Sequence, residues 1–487
     1  MQKLFLSLFS FMLCVLLHSC LSEEDYTLVS SARLTLSTDT LALDTIIAGA
    51  STNTYTMQVF NNNSKGVRIA KAYLEGGKDS YFRVNIDGAY LFDGETTNLE
   101  IAAGDSLRVF VEATAPNIDA DQPQDLVDRL IFFLESGTEQ QVLLTASGQA
   151  VFIKEGGRIA TDELWDAKRP YQIMDSLVVE KDATLTLAAG TRLYFHPKSS
   201  LIVYGKLLVE GQLGAPVVMR GDRLGYMFSQ QPYDRIPNQW GGVVFKSSSV
   251  GNKLNYCDIH SGAFGIRCDS TADNEQKLLL ENSIIHNVSG DAFYAKACVT
   301  SVGNSQITNA KGDCVKLMGG SHDFVHCTIG QFYAFAGGRG VALRFGNHED
   351  GVRLPLQKAS FTNCLITGYN GDDLMGEQSE RYKDDAFKFY FSHCLINTPK
   401  VNNDDFVNCL FEEDFPTSNR GDKHFYPAFD LQKLLFYFTL SPNSAAVNKA
   451  DTNVARNTYP LDRLGRSRLS DEGADIGCYE MIPTEKH

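Results

Sequence analysis

Proline and positive charge are scarce in this sequence. Its 487 residues include 14 Pro but 20 Tyr, 30 Phe and 40 Gly, a composition that suits an all-β globular protein. Acidic residues outnumber basic ones by 59 to 44, and the formal charge of −15 argues against a nucleic-acid partner. A chain of this length is long enough for two or three domains.

Long apolar runs are also missing, apart from one at the start. Residues 4–17 form an apolar run that follows Lys3, which is the right length for a signal peptide and too short to span a bilayer comfortably. The run ends in Leu17-His18-Ser19-Cys20, which resembles a bacterial lipobox with Cys20 as the lipidated residue. The alternative is a secreted chain that is cleaved elsewhere, in which Cys20 has no role.

An acidic stretch follows at residues 22–25. It resembles the export tag of Bacteroidetes-type lipoproteins that reach the outer face of the outer membrane. Acyl chains on Cys20 would anchor the protein permanently, at about 0.8 kcal/mol per buried CH₂. We therefore predict a lipoprotein signal peptide at 1–19, a lipid-anchored tether at 20–28 and a protein facing the cell exterior.

A six-residue phrase recurs through the second half of the chain. Its template is apolar, any, Asn/His/Tyr, Cys/Ser, any, apolar, and it occurs at residues 254–259, 280–285, 302–307, 324–329, 361–366, 391–396 and 406–411. The Cys/Ser positions are 26, 22, 22, 37, 30 and 15 residues apart. A period near 22 is typical of one coil of a parallel β-solenoid. Strand alternation then predicts that the Cys/Ser and the final apolar residue point inward, and that the Asn/His/Tyr, including His326 and His393, occupies a left-handed bend.

These ladders resemble the right-handed parallel β-helix superfamily, whose best-known members are pectate lyases and related glycan-active proteins. The resemblance covers roughly residues 173–480 and implies the fold, whereas this scaffold carries many functions. Galacturonan hydrolases on this fold contain a Gly-His-Gly phrase that is missing here. The resemblance therefore assigns no catalytic residue to this chain.

The cysteines contain no C-x-x-C spacing, so zinc is not expected. Nine of the eleven remain after Cys14 and Cys20 are set aside, and an oxidising compartment would favour disulfides. Five of them, however, occupy the same position of the repeat, where parallel side chains fit disulfide geometry poorly. We predict mostly buried free thiols at these positions: Cys257, Cys327, Cys364, Cys394 and Cys409.

The remaining segments complete an all-β organisation. Residues 29–151 alternate as about seven short strands, which predicts an immunoglobulin-like β-sandwich. A connector is expected at 152–172, the right-handed parallel β-helix at 173–440 and its C-terminal cap at 441–487. The closing residues 475–480 resemble the Asp-Ile-Gly-Ala-Tyr-Glu ending of bacterial β-helix surface proteins, and we expect them to seal the end of the stack.

Acidic residues supply the first candidate site. Asp291 and Asp313 each follow a glycine and are 22 residues apart, so they should stack, and Asp372 and Asp373 belong to a later coil. Such carboxylates can act as general acid and base in glycoside cleavage, or hold Ca²⁺ in a lyase. Gly-Asp pairs also serve as plain turn residues. No other cofactor is expected.

Basic and loop residues are further candidates. Lys296, Lys316, Arg344 and Arg267 could act as a lyase base or bind uronate carboxylates, although alternating solvent-facing charge explains them equally well. The loop at residues 347–350 carries His348 beside two acids, a combination that suits a metal or acid–base site.

Aromatic residues form the last group. Those in and beside the loop at residues 221–239 could stack on sugars, or pack down as a cap; they are Tyr226, Phe228, Tyr233 and Trp240. Phe332, Tyr333 and Phe335 offer a second such platform. Taken together, the sequence favours a non-catalytic glycan-binding or outer-membrane assembly protein, with a polysaccharide lyase or glycoside hydrolase as the alternative.

Overall fold

The structure is a computed structural model that describes residues 25–228, 230–272 and 275–481. The expected signal peptide and Cys20 lie outside these residues. The chain divides into two compact units, of which the first ends at Ala150 and the second begins at Val151. Both units are built almost entirely from β-strands.

The first unit consists of two five-stranded sheets around one hydrophobic core. Its strands are β1 (Thr35–Leu36), β2 (Thr40–Ile47), β3 (Tyr55–Phe60), β4 (Val67–Leu74), β5 (Phe82–Ile86), β6 (Ala89–Tyr90), β7 (Glu95–Ile101), β8 (Ser106–Ala113), β9 (Gln124–Leu134) and β10 (Glu139–Gln149). The sheet orders are β1-β3-β8-β5-β6 and β2-β10-β9-β4-β7. Neighbouring strands are antiparallel except β10 and β2. Alternating residues of both sheets, such as Val59 and Phe132, fill the core.

The second unit consists mainly of β-strands, most of which pair in parallel. In chain order they are β11 (Phe152–Lys154), β12 (Arg158–Ile159), β13 (Glu163–Trp165), β14 (Tyr171–Ile173), β15 (Leu177–Val179), β16 (Thr184–Ala188), β17 (Arg192–Phe195), β18 (Leu201–Val203), β19 (Lys206–Glu210), β20 (Val217–Gly221), β21 (Tyr226–Phe228), β22 (Gln231–Pro232), β23 (Val243–Phe245), β24 (Asn252–Asn255), β25 (Cys257–His260), β26 (Ile266–Cys268), β27 (Gln276–Glu281), β28 (Ile284–Val288), β29 (Phe293–Gly303), β30 (Gln306–Ala310), β31 (Val315–Val325), β32 (Thr328–Gln331), β33 (Leu343–Gly346), β34 (His348–Glu349), β35 (Val352–Arg353), β36 (Leu356–Thr362), β37 (Leu365–Gly368), β38 (Leu374–Glu377), β39 (Phe387–Ser392), β40 (Leu395–Ile396), β41 (Phe406–Val407) and β42 (Leu410–Phe411).

Helical structure is sparse in the described residues. An α-helix, α1, covers Thr452–Thr458 and is capped by Asp451, whose side chain accepts hydrogen bonds from the backbone N–H groups of Asn453 and Val454. Short 3₁₀ turns cover Gly77–Asp79, Tyr233–Arg235, Glu380–Tyr382, Glu412–Asp414, Thr417–Asn419 and Gly421–His424.

Two long sheets run the length of the second unit. An eleven-stranded sheet has the order β11-β14-β17-β20-β25-β28-β30-β32-β37-β40-β42, and a seventeen-stranded sheet contains the other parallel strands. Each strand pairs with its equivalent in the coils before and after it, with equivalent residues in register, as in Ile259, Ile285 and Ile307. The two sheets enclose one continuous hydrophobic core. The expected coil of parallel strands is therefore present.

The recurring phrase behaves as its pattern predicts. Its Cys or Ser and its final apolar residue are buried in the core, with Cys409 only partly buried. All seven Asn/His/Tyr positions have positive φ: Tyr256, Asn282, Asn304, His326, Asn363, His393 and Asn408. Six of these side chains bond in pairs between neighbouring coils: Asn304 Nδ2 donates to Asn282 Oδ1 at 2.7 Å, and His326 bonds to Asn363 and His393 to Asn408. The nine cysteines of the described ranges are free, and eight of them are buried.

The expected connector carries strands of the parallel sheets. β11 to β14 lie within residues 152–173, and β11 and β14 pair in parallel with Phe152 opposite Tyr171. Trp165 stacks on Tyr171 with ring centroids 4.2 Å apart. The stack of coils therefore begins at Phe152 rather than at residue 173, because short strands separated by glycines still complete a coil.

The closing segment lies along the side of the stack, which corrects the expectation that it seals the end. The amide N–H of Gly477 donates to the carbonyl of Asn363, and Tyr479 Oη bonds to Gln306 Oε1 at 2.7 Å. Ile476 and Cys478 pack with Phe332 and Leu365 in a second apolar cluster. Leu365 belongs to this outer cluster whereas its neighbour Ile366 belongs to the inner core, so the segment covers the outer face of the eleven-stranded sheet.

Candidate functional site

A band of ionisable side chains lies on the outer face of the seventeen-stranded sheet. Four of these residues are in register on successive strands: Arg267 on β26, Tyr294 on β29, Lys316 on β31 and Arg344 on β33. Their sequence neighbours are buried in the core, so the alternation of a strand directs these four side chains outward. With nearby acids and a lysine they form what we call the charged face, comprising Arg267, Asp291, Tyr294, Lys296, Asp313, Lys316, Arg344, Glu349 and Glu377.

Glu349 is held over this face by the β34–β35 hairpin. Its carboxylate accepts a hydrogen bond from Tyr294 Oη at 2.5 Å and lies 3.2 Å from Lys296 Nζ and 2.9 Å from Lys316 Nζ. Burial alone would raise the pKa of Glu349, but these three partners outweigh it and lower the pKa. Burial and the bond to Glu349 raise the pKa of Tyr294. Glu349 therefore remains ionised and Tyr294 protonated at neutral pH.

Arg344 joins two further acids. Its Nε atom lies 2.6 Å from Asp313 Oδ2, and its Nη1 atom pairs with Glu377. Asp313 Oδ1 also accepts a hydrogen bond from the backbone N–H of Val341 at 2.9 Å. Burial would lower the pKa of Arg344, but the two carboxylates outweigh it and raise the pKa. Asp313 and Arg344 are thus bound to each other rather than held ready for a reaction.

Asp291 differs from the other acids of the charged face. Its Oδ1 atom accepts a hydrogen bond from the backbone N–H of Asp313 at 2.9 Å, and Gly312 N–H donates to the Gly290 carbonyl at 3.0 Å. The expected stacking of the two Gly-Asp pairs is therefore confirmed. Asp291 has no ion-pair partner among the described residues, and burial raises its pKa.

The charged face is nearly balanced in charge. Lysines and arginines supply four positive charges, and the carboxylates supply four negative ones if Asp291 is ionised: Arg267, Lys296, Lys316 and Arg344 against Asp291, Asp313, Glu349 and Glu377. Three of the four cations pair with these carboxylates, while Arg267 lies over the ring of Phe264 at 4.2 Å. A surface of this kind offers many hydrogen-bonding groups but little uncompensated charge.

The other candidate acids lie apart from this network. Asp372 is exposed and accepts a hydrogen bond from the backbone N–H of Leu374 at 3.0 Å. Asp373 is fully buried, accepts hydrogen bonds from Asn370 and Asn397, and has its pKa raised to about 6 by burial. Asp372 therefore supports a local turn, as a plain turn residue does, whereas Asp373 also links two coils through Asn397.

The loop at residues 347–350 contributes only one of its candidates to the charged face. Glu349 joins the cluster, as described above. His348 has a buried Nδ1 atom that has no hydrogen-bond partner among the described residues. Asn347 instead bonds to the backbone of Tyr382 and Ser379.

Two of the four aromatic candidates are unavailable to a ligand. Trp240 is 1% exposed, stacks on Phe195 at 4.2 Å and donates from its indole nitrogen to the His260 carbonyl at 2.8 Å. Tyr233 is also buried. This corrects the expectation of a sugar-stacking platform at these two residues, because a buried ring presents no face. Tyr226 and Phe228 remain exposed on the β21–β22 hairpin.

The second aromatic platform is also largely buried. Phe332 and Tyr333 are inaccessible, and Phe332 packs edge-on against Phe425 in the outer apolar cluster. Phe335, in contrast, is partly exposed. The outer cluster, which the closing segment completes, thus uses Phe332 for packing.

A second polar surface lies on strands β19, β24 and β27. It is an open groove of about 720 Å³ that includes Lys206 and Lys253. Glu210, Asn255 and Glu281 stand in register along it. This groove is separate from the residues of the charged face.

Sequence reasoning missed two groups of polar residues. Tyr294 and Glu377 belong to the charged face, and the 22-residue spacing from Tyr294 to Lys316 was the available signal. On the eleven-stranded sheet, Asp258, His260 and His286 place their ligand atoms within 4.8 Å of one another. His260 and His286 are 26 residues apart, the same spacing as Cys257 and Ser283 of the phrase.

Comparisons with known proteins leave the family open. No family model matches the chain, and no curated protein matches it. Among solved structures, a PapD-like domain of human CEP192 is 12% identical, covers 27% of this chain and 94% of its own, and has a TM-score of 0.17. A family 123 glycoside hydrolase from Clostridium perfringens is 8% identical, covers 26% of each chain and has a TM-score of 0.18. Likenesses this weak carry no argument about function.

Proposed function

We propose that this protein is a lipid-anchored outer-membrane lipoprotein on the cell surface that binds a polysaccharide without cleaving it. In this proposal the first unit is an immunoglobulin-like sandwich that acts as a spacer, and the second is a right-handed parallel β-helix that presents the charged face. The N-terminal lipobox-like sequence and acidic stretch support the location. The parallel coils support the β-helix.

The mutual pairing of ionic groups on the charged face carries the choice of binding over catalysis. A lyase needs a cation free to neutralise a uronate carboxylate, and a hydrolase needs two carboxylates ready for acid and base roles. Here three of the four cations, Lys296, Lys316 and Arg344, are paired with carboxylates, and the fourth, Arg267, lies over the ring of Phe264. Such paired groups still offer hydrogen-bond donors and acceptors to sugar hydroxyls.

Asp291 favours the alternative, a polysaccharide lyase or glycoside hydrolase. Its carboxyl has no ion-pair partner among the described residues, and its raised pKa is the property expected of a general acid. The backbone N–H of Asp313 donates to Asp291, and the second carboxylate of this alternative is that of Asp313, which would first have to leave Arg344. A Ca²⁺ ion held by these two acids belongs to the same alternative.

Native electrophoresis of the full-length chain through gels cast with single polysaccharides tests the proposal. We expect one polysaccharide to retard the protein, to remain uncleaved and to lose its effect with Arg267→Ala plus Lys316→Ala. The matched control is Lys206→Ala plus Lys253→Ala in the separate groove, which should migrate as the parent does. Retardation lost only in the groove variant would contradict the assignment to the charged face.

Product analysis separates binding from catalysis. Asp291→Asn, which keeps the size and the hydrogen-bond acceptor, should leave retardation intact, and neither protein should release oligosaccharides. Cleavage by the parent that disappears in Asp291→Asn would establish the enzyme alternative. If no polysaccharide retards the protein, the glycan proposal fails and an outer-membrane protein complex becomes the partner to isolate.

A further inference from the structure

Strands β25 and β28 place two histidines and an aspartate together on the outer face of the eleven-stranded sheet. Asp258 and His260 are two residues apart on β25, so they share a face, while Cys257 and Ile259 between and beside them point into the core. His286 is the registered partner of His260 on β28. The coil repeat itself therefore brings the three side chains together.

The distances within this group suit a metal ion. Asp258 Oδ1 lies 2.9 Å from His260 Nδ1 and 3.3 Å from His286 Nε2. Zinc bonds of about 2.0–2.1 Å in a tetrahedral arrangement put ligand atoms about 3.3 Å apart. The two imidazoles are stacked, with ring centroids 4.9 Å apart, so both can direct a nitrogen to the same side of the carboxylate. Small side-chain rotations are enough to centre an ion among them.

The surroundings supply rigidity and a suitable charge. Trp240 donates a hydrogen bond to the His260 carbonyl at 2.8 Å and so fixes the strand beneath the group. The nearby cation Arg220 lies 3.4 Å from Asp234 Oδ2, which offsets its charge. When both imidazoles are neutral, the Asp258 carboxylate therefore gives the group a net negative charge, which a bound cation can neutralise.

A cavity adjoins the group at His286. His286 lines a cavity of about 300 Å³ with Thr308, Arg235 and Tyr479, beneath residues 434–439. Three protein ligands beside such a cavity leave one coordination position for water or a small ligand. This arrangement differs from a closed structural site with four protein ligands.

We propose that Asp258, His260 and His286 bind one divalent transition-metal ion of the Zn²⁺ class. Two imidazoles and one carboxylate are borderline ligands that suit Zn²⁺ and Co²⁺ better than Ca²⁺, which prefers six to eight oxygen atoms. The group shares no residue with the charged face, so the proposal is independent of glycan binding there.

Metal titration of the full-length chain tests this inference. The protein is purified in detergent without a histidine tag, stripped with a chelator and titrated with Co²⁺, while visible absorption and bound metal are measured. We expect about one Co²⁺ per chain with the strong visible bands of a four- or five-coordinate ion, displaced by Zn²⁺ because Zn²⁺ binds such ligands more tightly.

Variants assign the ion to its ligands. His286→Gln and Asp258→Asn should each weaken Co²⁺ binding at least tenfold. The matched control is His196→Gln, since His196 Nδ1 also lies 2.8 Å from an aspartate, Asp222, but has no third ligand among the described residues. Binding by that control should equal the parent's.

Two results would overturn the inference. One is an equal loss of binding in His196→Gln and His286→Gln. The other is a parent protein that binds no stoichiometric Co²⁺ or gives only the weak bands of the hydrated ion. That second readout needs no variant, so it decides the matter even if a substituted protein fails to fold.

Discussion

Burial decides what an ionic residue contributes to this molecule. Arg468 is fully buried, with Nη1 2.5 Å from Glu480 Oε1 and Nη2 2.7 Å from Asn304 Oδ1, and so ties the closing segment to the coils. Arg353, in contrast, pairs with Asp385 at the surface with 62% of its side chain exposed. A buried charge that loses its partner keeps its desolvation cost, whereas an exposed charge regains water.

Arg468→Met should therefore lower the free energy of unfolding of the second unit by about 3–5 kcal/mol, because Glu480 stays buried without its cation. Arg353→Met should cost less than about 1 kcal/mol. Urea unfolding followed by tryptophan fluorescence measures both, since Trp165 and Trp240 lie in this unit. Equal effects of the two substitutions would contradict the structural role of Arg468.

Asp373 should make stability depend on pH. Burial raises its pKa in the folded protein to about 6 from the ordinary 3.8, so its protonated form is favoured on folding. The associated stability, about 3 kcal/mol at most, is present below about pH 4 and is lost as the pH rises through about 6. Asp373→Asn removes this titration while keeping a hydrogen-bond acceptor.

Unfolding midpoints measured between pH 4 and 8 test whether stability falls with rising pH, as predicted. The difference in stability, Asp373→Asn minus parent, should grow as the pH rises from 4 to 7. The exposed neighbour provides the control, since Asp372→Asn should follow the parent at every pH. A constant difference between Asp373→Asn and the parent would show that Asp373 does not titrate in this range.

The repeated bend is the feature that organises the elements. Each bend places one residue in the left-handed region, and in three places its side chain bonds to the equivalent residue of a neighbouring coil. Asn363 Nδ2 lies 2.9 Å from His326 Nε2, and Asn363 Oδ1 accepts from the backbone N–H of Asp451 at 2.7 Å. Asn408 takes the same position near the last coil, where it is exposed. Among the residues that the structure describes, its side chain bonds only to His393, at 3.1 Å.

Comparing Asn363→Ala with Asn408→Ala separates two contributions to stability, namely the cost of the left-handed backbone at the bend and the loss of the side-chain hydrogen bonds. Both replace an asparagine of positive φ, so the backbone cost is shared. Asn363→Ala also leaves buried polar groups without partners, at about 1–3 kcal/mol each. We expect Asn363→Ala to lower the free energy of unfolding by at least about 2 kcal/mol more than Asn408→Ala, as measured by urea denaturation. Similar losses would mean that conformation alone matters.

At the scale of the whole molecule, the proposed location depends on how the chain is attached to a membrane. Within the described ranges, no helix is both long and apolar enough to cross a membrane. The attachment that we propose is through Cys20, which lies outside the described residues. The chain has a net charge of −15. The charged face of its second unit contributes little to that charge, because its cations and carboxylates pair with one another.

Cys20→Ser should release the protein from the membrane fraction and abolish labelling by a radioactive fatty acid, because lipidation requires the thiol. Cys14→Ser, within the expected signal peptide, is the control that should remain labelled and anchored. Digestion of intact cells with a protease tests the orientation, and we expect loss of the protein without cell lysis. Continued labelling of the Cys20 variant would exclude this anchor.

Much of the second unit was predictable because its contacts follow a repeat. Equivalent residues of parallel coils stack in register, so each coil imposes the same pattern of small, apolar and bend residues, as at Cys257, Ser283 and Ser305. The start of the stack at Phe152 was missed because strands of two or three residues carry little periodic signal. Trp240 was misjudged because a residue beside a long loop can still point into the core.

The sequence by itself determined the parallel coils, the inward cysteines and the left-handed bends, since each depends on alternation and on a spacing near 22. Only the tertiary structure decided which side chains meet outside that pattern. The hairpin brings Glu349 to Tyr294, 55 residues away, and the closing segment brings Arg468 to Asn304, 164 residues away. Such contacts depend on the path of irregular segments through space, and no local spacing encodes that path.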